Sequence, residues 1–457
     1  MTTKISCFGI LVCLLLIISL QLYPDSANID ALIKDVPGLE TFTNASAINV
    51  YTRVELNINP DFSFEKHVFH IKKILTYKGK KQYSDIKLAY NADFEKIKLE
   101  NCFAIDPKGH RITVPENQIS DLTMQESIMN PLINFRETII NFPRIEPGYF
   151  IVVEYTLHNN RKEPVNGIEH FRDSNPSMYK IFCIKCPARF RLNTHFDPKQ
   201  LVFTRKELGT TSLFNWEARN TKIIKNENNT PIHLISGIPL AYSFYRDWQE
   251  LARAKLSKIV NVRIDDLIKK LALQLTTNAK TDPEKVLAVY EYLSNNFNYQ
   301  MVIMSQLNFQ PRPLTDIIKD KKGSMRDFSA LFYALLKSAG IKQVYPALTL
   351  YGYQRFTEIQ KKLAIDNFME RICVYRNNRL LHPGRSDIPF GFCLDEANVI
   401  IGNERYEMIG FRSPNRFLEN ITYHYEVTEA SALVSARFIL TDLRNQQFRE
   451  IFKDQPQ

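Results

Sequence analysis

The chain has 457 residues, of which 44% are apolar, 12% aromatic and 24% charged. That is enough apolar material for several cores, and it excludes disordered, collagen-like and low-complexity chains. Seven cysteines are too few for a disulfide-stapled scaffold. A mean hydropathy of −0.25 excludes a polytopic membrane protein. The net charge of +10 permits contact with anionic surfaces without requiring it.

Taken in chain order, the first feature breaks the average composition. No charged residue occurs from Ile5 to Tyr23, and Ile10 to Leu20 is almost entirely aliphatic, with Lys4 ahead of the run. This is the pattern of an export segment, either a cleaved signal peptide within 1–27 or an anchor retained at 5–23. Both place the remainder outside the cytoplasm, in a periplasmic setting. Cys7 and Cys13 fall inside the run, which leaves five cysteines for the body.

From about Val50 to Ser236 the pattern is strand-like. Alternation across Val68 to Tyr77 sets Phe69, Ile71, Leu75 and Tyr77 on one face. Lys78-Gly79-Lys80, Asp106-Pro107-Lys108-Gly109 and Glu146-Pro147-Gly148 read as turns, and Tyr149 to Leu157 as a further strand. The periodicity then changes. Asp247 to Leu275 carries apolar residues at three- and four-residue steps, as a helix would. A second helix opens at Thr281-Asp282-Pro283-Glu284, with a capping box, Pro283 in the first turn, and a stripe of Val286, Val289, Tyr290, Leu293 and Phe297. A third opens at Ser324-Met325-Arg326-Asp327, buries Phe328, Leu331, Phe332, Leu335 and Leu336, and ends at Gly340. Strand patterns return at Val344 to Tyr351, Arg371 to Tyr375, Val399 to Ile401 and Ile421 to Val427.

The segment from Tyr292 to Pro383 resembles the transglutaminase-like superfamily, which has a papain-type cysteine fold. The residues that carry the likeness are Gln310-Pro311-Arg312-Pro313-Leu314 and Gly323 to Asp327. The body from Val50 to Trp248 resembles a bacterial β-sandwich domain of unknown function that often precedes such cores. Here the matching residues are Ile74 to Gly79, Asp106 to Ile112, Phe142-Pro143 with Glu146-Pro147-Gly148, Trp216-Glu217-Ala218 and Trp248. The resemblance implies an α+β chain: a signal peptide or anchor at 1–27, an antiparallel β-sandwich at 45–245, a transglutaminase-type α+β core at 246–390 and a short β-rich C-terminal segment at 391–457.

The family's chemistry needs a cysteine at a helix N-terminus, where the macrodipole favours the thiolate, a histidine to take its proton and an aspartate to orient the histidine. By the resemblance, those places read Met325, Arg371 and His382 in this chain. A thioether has no ionisable proton, and a guanidinium stays protonated at neutral pH. The resemblance therefore implies a degenerate core with no catalytic residue. It leaves a cleft near Met325, Arg371, His382 and Asp327 that could serve for binding. A protein or peptide partner at the cell envelope is expected, with the membrane added if the N-terminal run stays uncleaved.

The rival reading is an active cysteine peptidase or acyltransferase with a relocated nucleophile, Cys373 paired with His382. Against it, a strand cysteine is usually a small buried hydrophobe. Ser324 is accounted for as a helix cap. Cys183-Ile184-Lys185-Cys186 has metal or redox spacing, but strand alternation would set the two sulfurs on opposite faces, and no second pair follows. They read as structural thiols or as one partner of a disulfide with Cys102 or another cysteine. His67 and His70 would likewise face opposite ways. No metal, cofactor or nucleic acid is expected, since no phosphate loop, metal motif or aromatic-basic cleft occurs.

Overall fold

The computed structural model describes residues 29–130, 132–224, 237–302, 310–350, 359, 362–366, 369–386, 388, 390, 397–403, 406–411, 419–428 and 431–440. The apolar run at 5–23 lies outside these residues. Among the described residues, no helix is long and apolar enough to cross a membrane.

The chain is α+β, with a sheet-rich first half. Its strands are β1 (Ala47–Ile58), β2 (Phe64–Ile74), β3 (Asp85–Asn91), β4 (Glu95–Ile105), β5 (Arg111–Thr113), β6 (Ile119–Thr123), β7 (Phe135–Asn141), β8 (Phe150–Asn159), β9 (Asn166–His170), β10 (Ser177–Pro187), β11 (Asn193–His195), β12 (Val202–Leu208), β13 (Thr211–Thr221) and β14 (Pro239–Ser243). Eight of them form one sheet in the order β12-β13-β10-β1-β2-β8-β4-β5, and two three-stranded sheets, β11-β14-β9 and β3-β7-β6, accompany it. Trp216, Phe182 and Phe214 of the large sheet pack with Leu240 and Phe244 on and beside β14. Ile151 and Val153 of β8 pack with Ile140 of β7. This is the expected sandwich with one departure: β1 pairs β10 in parallel, so the large sheet is mixed rather than purely antiparallel. A parallel pair requires a long crossover, and the chain between β1 and β10 supplies it with most of the remaining strands.

The turns at Gly109 and Gly148 form as expected, each glycine at positive φ (+87° and +92°). Lys78-Gly79-Lys80 is not a turn. It lies within a short helix, α1 (Tyr77–Tyr83), capped by the Thr76 hydroxyl, which accepts from the Gly79 N–H at 3.1 Å. A β-carbon on Gly79 would come within 2.0 Å of the Ser46 carbonyl oxygen, so the glycine serves close helix–strand packing. Tyr77 consequently leaves the Phe69–Ile71 face and is exposed.

The second half begins with α2 (Trp248–Val260) and α3 (Asp266–Thr276), where the sequence suggests one helix. The break comes at Asn261, and Asp265 restarts the helix by accepting from the Ile268 N–H at 3.1 Å. Then follow α4 (Asp282–Asn296), whose capping box and Pro283 are as read, β15 (Asn298–Tyr299), α5 (Leu314–Asp320), β16 (Lys322–Gly323) and α6 (Met325–Ser338). Gly340 adopts φ +84° just past α6. Strands β17 (Tyr345–Leu350), β18 (Met369–Arg376), β19 (Arg379–Leu381), β20 (Ala397–Ile401) and β21 (Met408–Phe411) form a five-stranded sheet in the order β19-β18-β17-β20-β21. β20 and β21 thus complete the core sheet, where the sequence suggests a separate C-terminal segment. β22 (Glu419–Val427) and β23 (Ala432–Leu440) pair as a hairpin. Helix α6 is buried along almost its whole length against α2, α3, α4 and this sheet.

The two halves meet through charge. Lys255 of α2 is 1% exposed and pairs with Glu163 ahead of β9 and with Asp366 at 3.3 Å; Lys258 also reaches Glu163. Nearby, the Ser243 hydroxyl donates to the Ala364 carbonyl at 2.6 Å, and the Asp366 N–H donates to Asn166 Oδ1 at 2.9 Å. Burial alone would raise the Glu163 carboxyl, but the attraction and hydrogen bonds of Lys255 and Lys258 outweigh it and hold the group at about 2. A folded value below the unfolded one contributes stability above the unfolded pKa, and that stability is lost as the pH falls. Between a usual 4.5 and about 2, the contribution is on the order of 3 kcal/mol at neutral pH. Chemical denaturation of the wild type and Glu163→Gln should show the wild type more stable at pH 6, with the difference closing as pH falls from 4.5 toward 2. A difference independent of pH contradicts this reading of the pair.

Candidate functional site

The sequence-predicted residues centre on the start of α6. Ser324 is the N-cap, Met325 the first helical residue and Asp327 the third, and Ser324 and Asp327 close a capping box. The Ser324 N–H and hydroxyl both donate to Asp327 Oδ2 at 3.2 Å. On the other oxygen, Asp327 Oδ1 accepts from the Arg312 N–H at 3.1 Å and from Arg326 Nε at 3.2 Å. Asp327 is 0% exposed and Arg326 5%. Arg312 also pairs with Asp320 at 2.9 Å and donates to the Lys322 carbonyl. One buried carboxylate therefore ties α6 to the loop before α5 and, through Arg312, to β16. The capping box is legible from Ser-x-x-Asp spacing, whereas Arg312, 15 positions away, is not, because nothing local assigns it to Asp327.

Around this carboxylate, Phe328 organises the approach of the other segments. A β-carbon on Gly323 would come within 2.9 Å of its ring, and one on Gly384 within 2.0 Å. Gly384 also has φ +79°, so it meets both the conformational and the steric requirement for glycine. The turn after β19, His382 to Arg385, is thereby laid against the start of α6. Arg385 sits over the Tyr299 ring at 4.9 Å, and Tyr299 pairs with Gly323. The structure thus brings the His382 turn to the Met325 end of the helix. Met325 is half-buried against the core, and His382 is 8% exposed.

Arg371 lies on β18 opposite Thr349, at a register shift between Thr349 and Leu350. The carbonyl of the next residue, Ile372, accepts from the Ser329 hydroxyl of α6 at 3.1 Å, so this stretch of strand runs directly beside the helix. Cys373 does not join the group. Ile372 and Val374 face α6 in the main core, whereas Cys373 packs with Ala347, Leu380, Val399 and Ile401 in a separate cluster. It is 0% exposed, and its Sγ contacts the Ala347 carbonyl at 3.8 Å.

Cys183 and Cys186 face opposite sides of β10, as alternation predicts, and lie in different hydrophobic clusters. Burial pushes the Cys186 thiol up to about 11 and the Cys183 thiol up to about 12, which makes both poor nucleophiles. Cys102, Cys183, Cys186 and Cys373 form no disulfide. His70 is enclosed beside the Thr52 hydroxyl at 2.7 Å, while His67 faces the other side toward Glu154.

Two family models match the chain. A domain of unknown function with a solved structure (DUF3857) matches residues 60–225, and the transglutaminase-like superfamily matches residues 269–357. The chain carries a transglutaminase-like core. This match includes Met325 and Asp327 and ends before Arg371 and His382. Among solved structures, the chain is similar to a candidate protease from Parabacteroides distasonis ATCC 8503, at 15% identity over 80% of this chain and 72% of that one, with a TM-score of 0.67. A candidate cysteine protease from Cytophaga hutchinsonii matches at 10% identity over 83% and 90% of the two chains, with a TM-score of 0.19. The first likeness agrees on fold; the second superposes too loosely to carry an argument. No curated protein matches the chain.

The Asp327 node gives a direct test. Asp327→Ala would leave Arg326 buried without its carboxylate and the helix without its cap. A loss of about 3–5 kcal/mol is expected in chemical denaturation. A loss under about 1 kcal/mol, the range of an exposed ion pair, would show that the node is not stabilising.

Proposed function

We propose that this chain is a non-catalytic binding or scaffold protein, built on a transglutaminase-like core that has lost its triad and acting at the cell envelope. The observation that carries the reading is Met325 at the first position of α6. By the family resemblance, this is the nucleophile's place, and it holds a side chain with no ionisable proton. The rival nucleophile, Cys373, is wholly buried on the far side of β18 from the helix. The envelope setting rests on the uncharged run from Ile5 to Tyr23. Retained burial at the start of α6, with Asp327 and Arg326 in place, supports a core kept for its shape after the chemistry was lost. A partner would dock where Met325 and the His382 turn come together, and a protein or peptide is the partner class that this superfamily's cleft was shaped to hold.

The test is nucleophile trapping on the full-length chain. With an alkylating thiol probe, Cys373 is expected to react only after denaturation, and the chain is expected to show neither peptide hydrolysis nor glutamine–amine acyl transfer. Rapid labelling of Cys373 in the native chain, abolished by His382→Ala, would sink the proposal and restore the peptidase or acyltransferase reading.

A further inference from the structure

The side of the large sheet that carries His67 holds a second cluster, unrelated to α6. Strands β2, β8 and β4 are neighbours there. His67 lies opposite Thr156 on β8, and Glu154 lies opposite Asn101 on β4. The register of β4 against β8 shifts between Leu99 and Asn101, so Glu100 is the extra residue of a β-bulge. In a regular strand Glu100 and Asn101 would face opposite ways. The bulge brings both to one face. There the Thr156 hydroxyl donates to Glu100 Oε1 at 2.8 Å, and Asn101 Nδ2 donates to Glu154 Oε2 at 2.6 Å.

Each carboxylate thus has one oxygen held by a neutral donor, and its other oxygen is turned to His67. His67 Nε2 lies 3.1 Å from Glu154 Oε1 and 3.5 Å from Glu100 Oε2. One nitrogen and two carboxylates offer ligand atoms that all lie within 4.8 Å of one another. The outer hydrogen bonds are of the kind that orient metal ligands. Glu154 forms the buried floor at 10% side-chain exposure, while His67 and Glu100, at 29% and 30%, leave the outer side open to water.

We infer that His67, Glu100 and Glu154 form a site for a divalent first-row transition ion, Zn²⁺ foremost, with water completing the coordination on the solvent side. The donor set fits, since imidazole and carboxylate suit this class of ion, and three protein ligands with an open position leave an exchangeable water. The competitor is the proton. The hydrogen bond and charge of Glu154, helped by Glu100 and Glu55, hold the His67 imidazole above its usual range against the effect of burial. Other charged groups on this face include Glu55, paired with Arg53 at 2.7 Å, Glu65, paired with His158 at 3.1 Å, and the exposed Lys96 and Lys98 on β4.

The test uses the full-length chain with ZnCl₂ or CoCl₂ in titration calorimetry and, for cobalt, visible absorption. One equivalent should bind at pH 7.5, and the cobalt spectrum should lack a thiolate charge-transfer band. His67→Asn and Glu154→Gln should abolish saturable binding, and Asn101→Ala should weaken it by about tenfold or more through loss of orientation. Glu65→Gln, on the same face, should bind as the wild type does. Circular dichroism of each variant confirms folding. The inference is overturned if the wild type shows no saturable binding, if binding survives in folded His67→Asn and Glu154→Gln, or if the spectrum reports sulfur ligation.

Discussion

The buried Asp327 carboxylate is the interaction on which the core depends. A helix start leaves backbone N–H groups without intrahelical partners, and a buried helix start has little water to supply them. Asp327 answers that need by accepting from the Ser324 backbone and hydroxyl, and it then binds Arg312 and Arg326. This arrangement is what lets α6 run through the middle of the core, flanked by helices and sheet, with its first turn still fixed. The Phe328 ring, closed in by Gly323 and Gly384, uses that fixed turn to seat the His382 segment. The geometry at the start of α6 is thus maintained by the cap, the arginines and the two glycines.

On the proposed reading, this separation explains how a core can outlive its reaction. In an active relative, the thiol at the helix start would benefit from the same dipole and the same anchored first turn. On the proposed reading, Met325 in the nucleophile's place has no ionisable proton, and its apolar side chain packs against the core. The cap, the arginines and the glycines stay necessary for folding whether or not anything is catalysed. The fold alone is accordingly a poor guide to activity.

Much of this was legible locally. The boxes at Thr281–Glu284 and Ser324–Asp327, with their apolar stripes, marked α4 and α6 because caps and periodicity act within a few residues of each other. The opposite facing of Cys183 and Cys186 followed from strand alternation alone. The short helix α1 has no local signal, because Gly79 reads as a turn unless the Ser46 carbonyl is known to lie against it. The parallel pairing of β1 and β10, the joining of β20 and β21 to the core sheet, and the Lys255–Glu163–Asp366 cluster were hidden for a common reason: each joins segments with no local signal between them.

The sequence by itself determined the order of the parts, the residue at the start of α6 and the alternating faces of the strands. Those properties depend on residue type and short-range geometry. Only the tertiary structure decided that Cys373 turns away from the helix, that two arginines converge on Asp327, and that a bulge at Glu100 completes a cluster with His67 and Glu154. His67 and Glu154 are 87 positions apart in the chain. No spacing rule reaches that far, because contacts at such separation are set by sheet order and register.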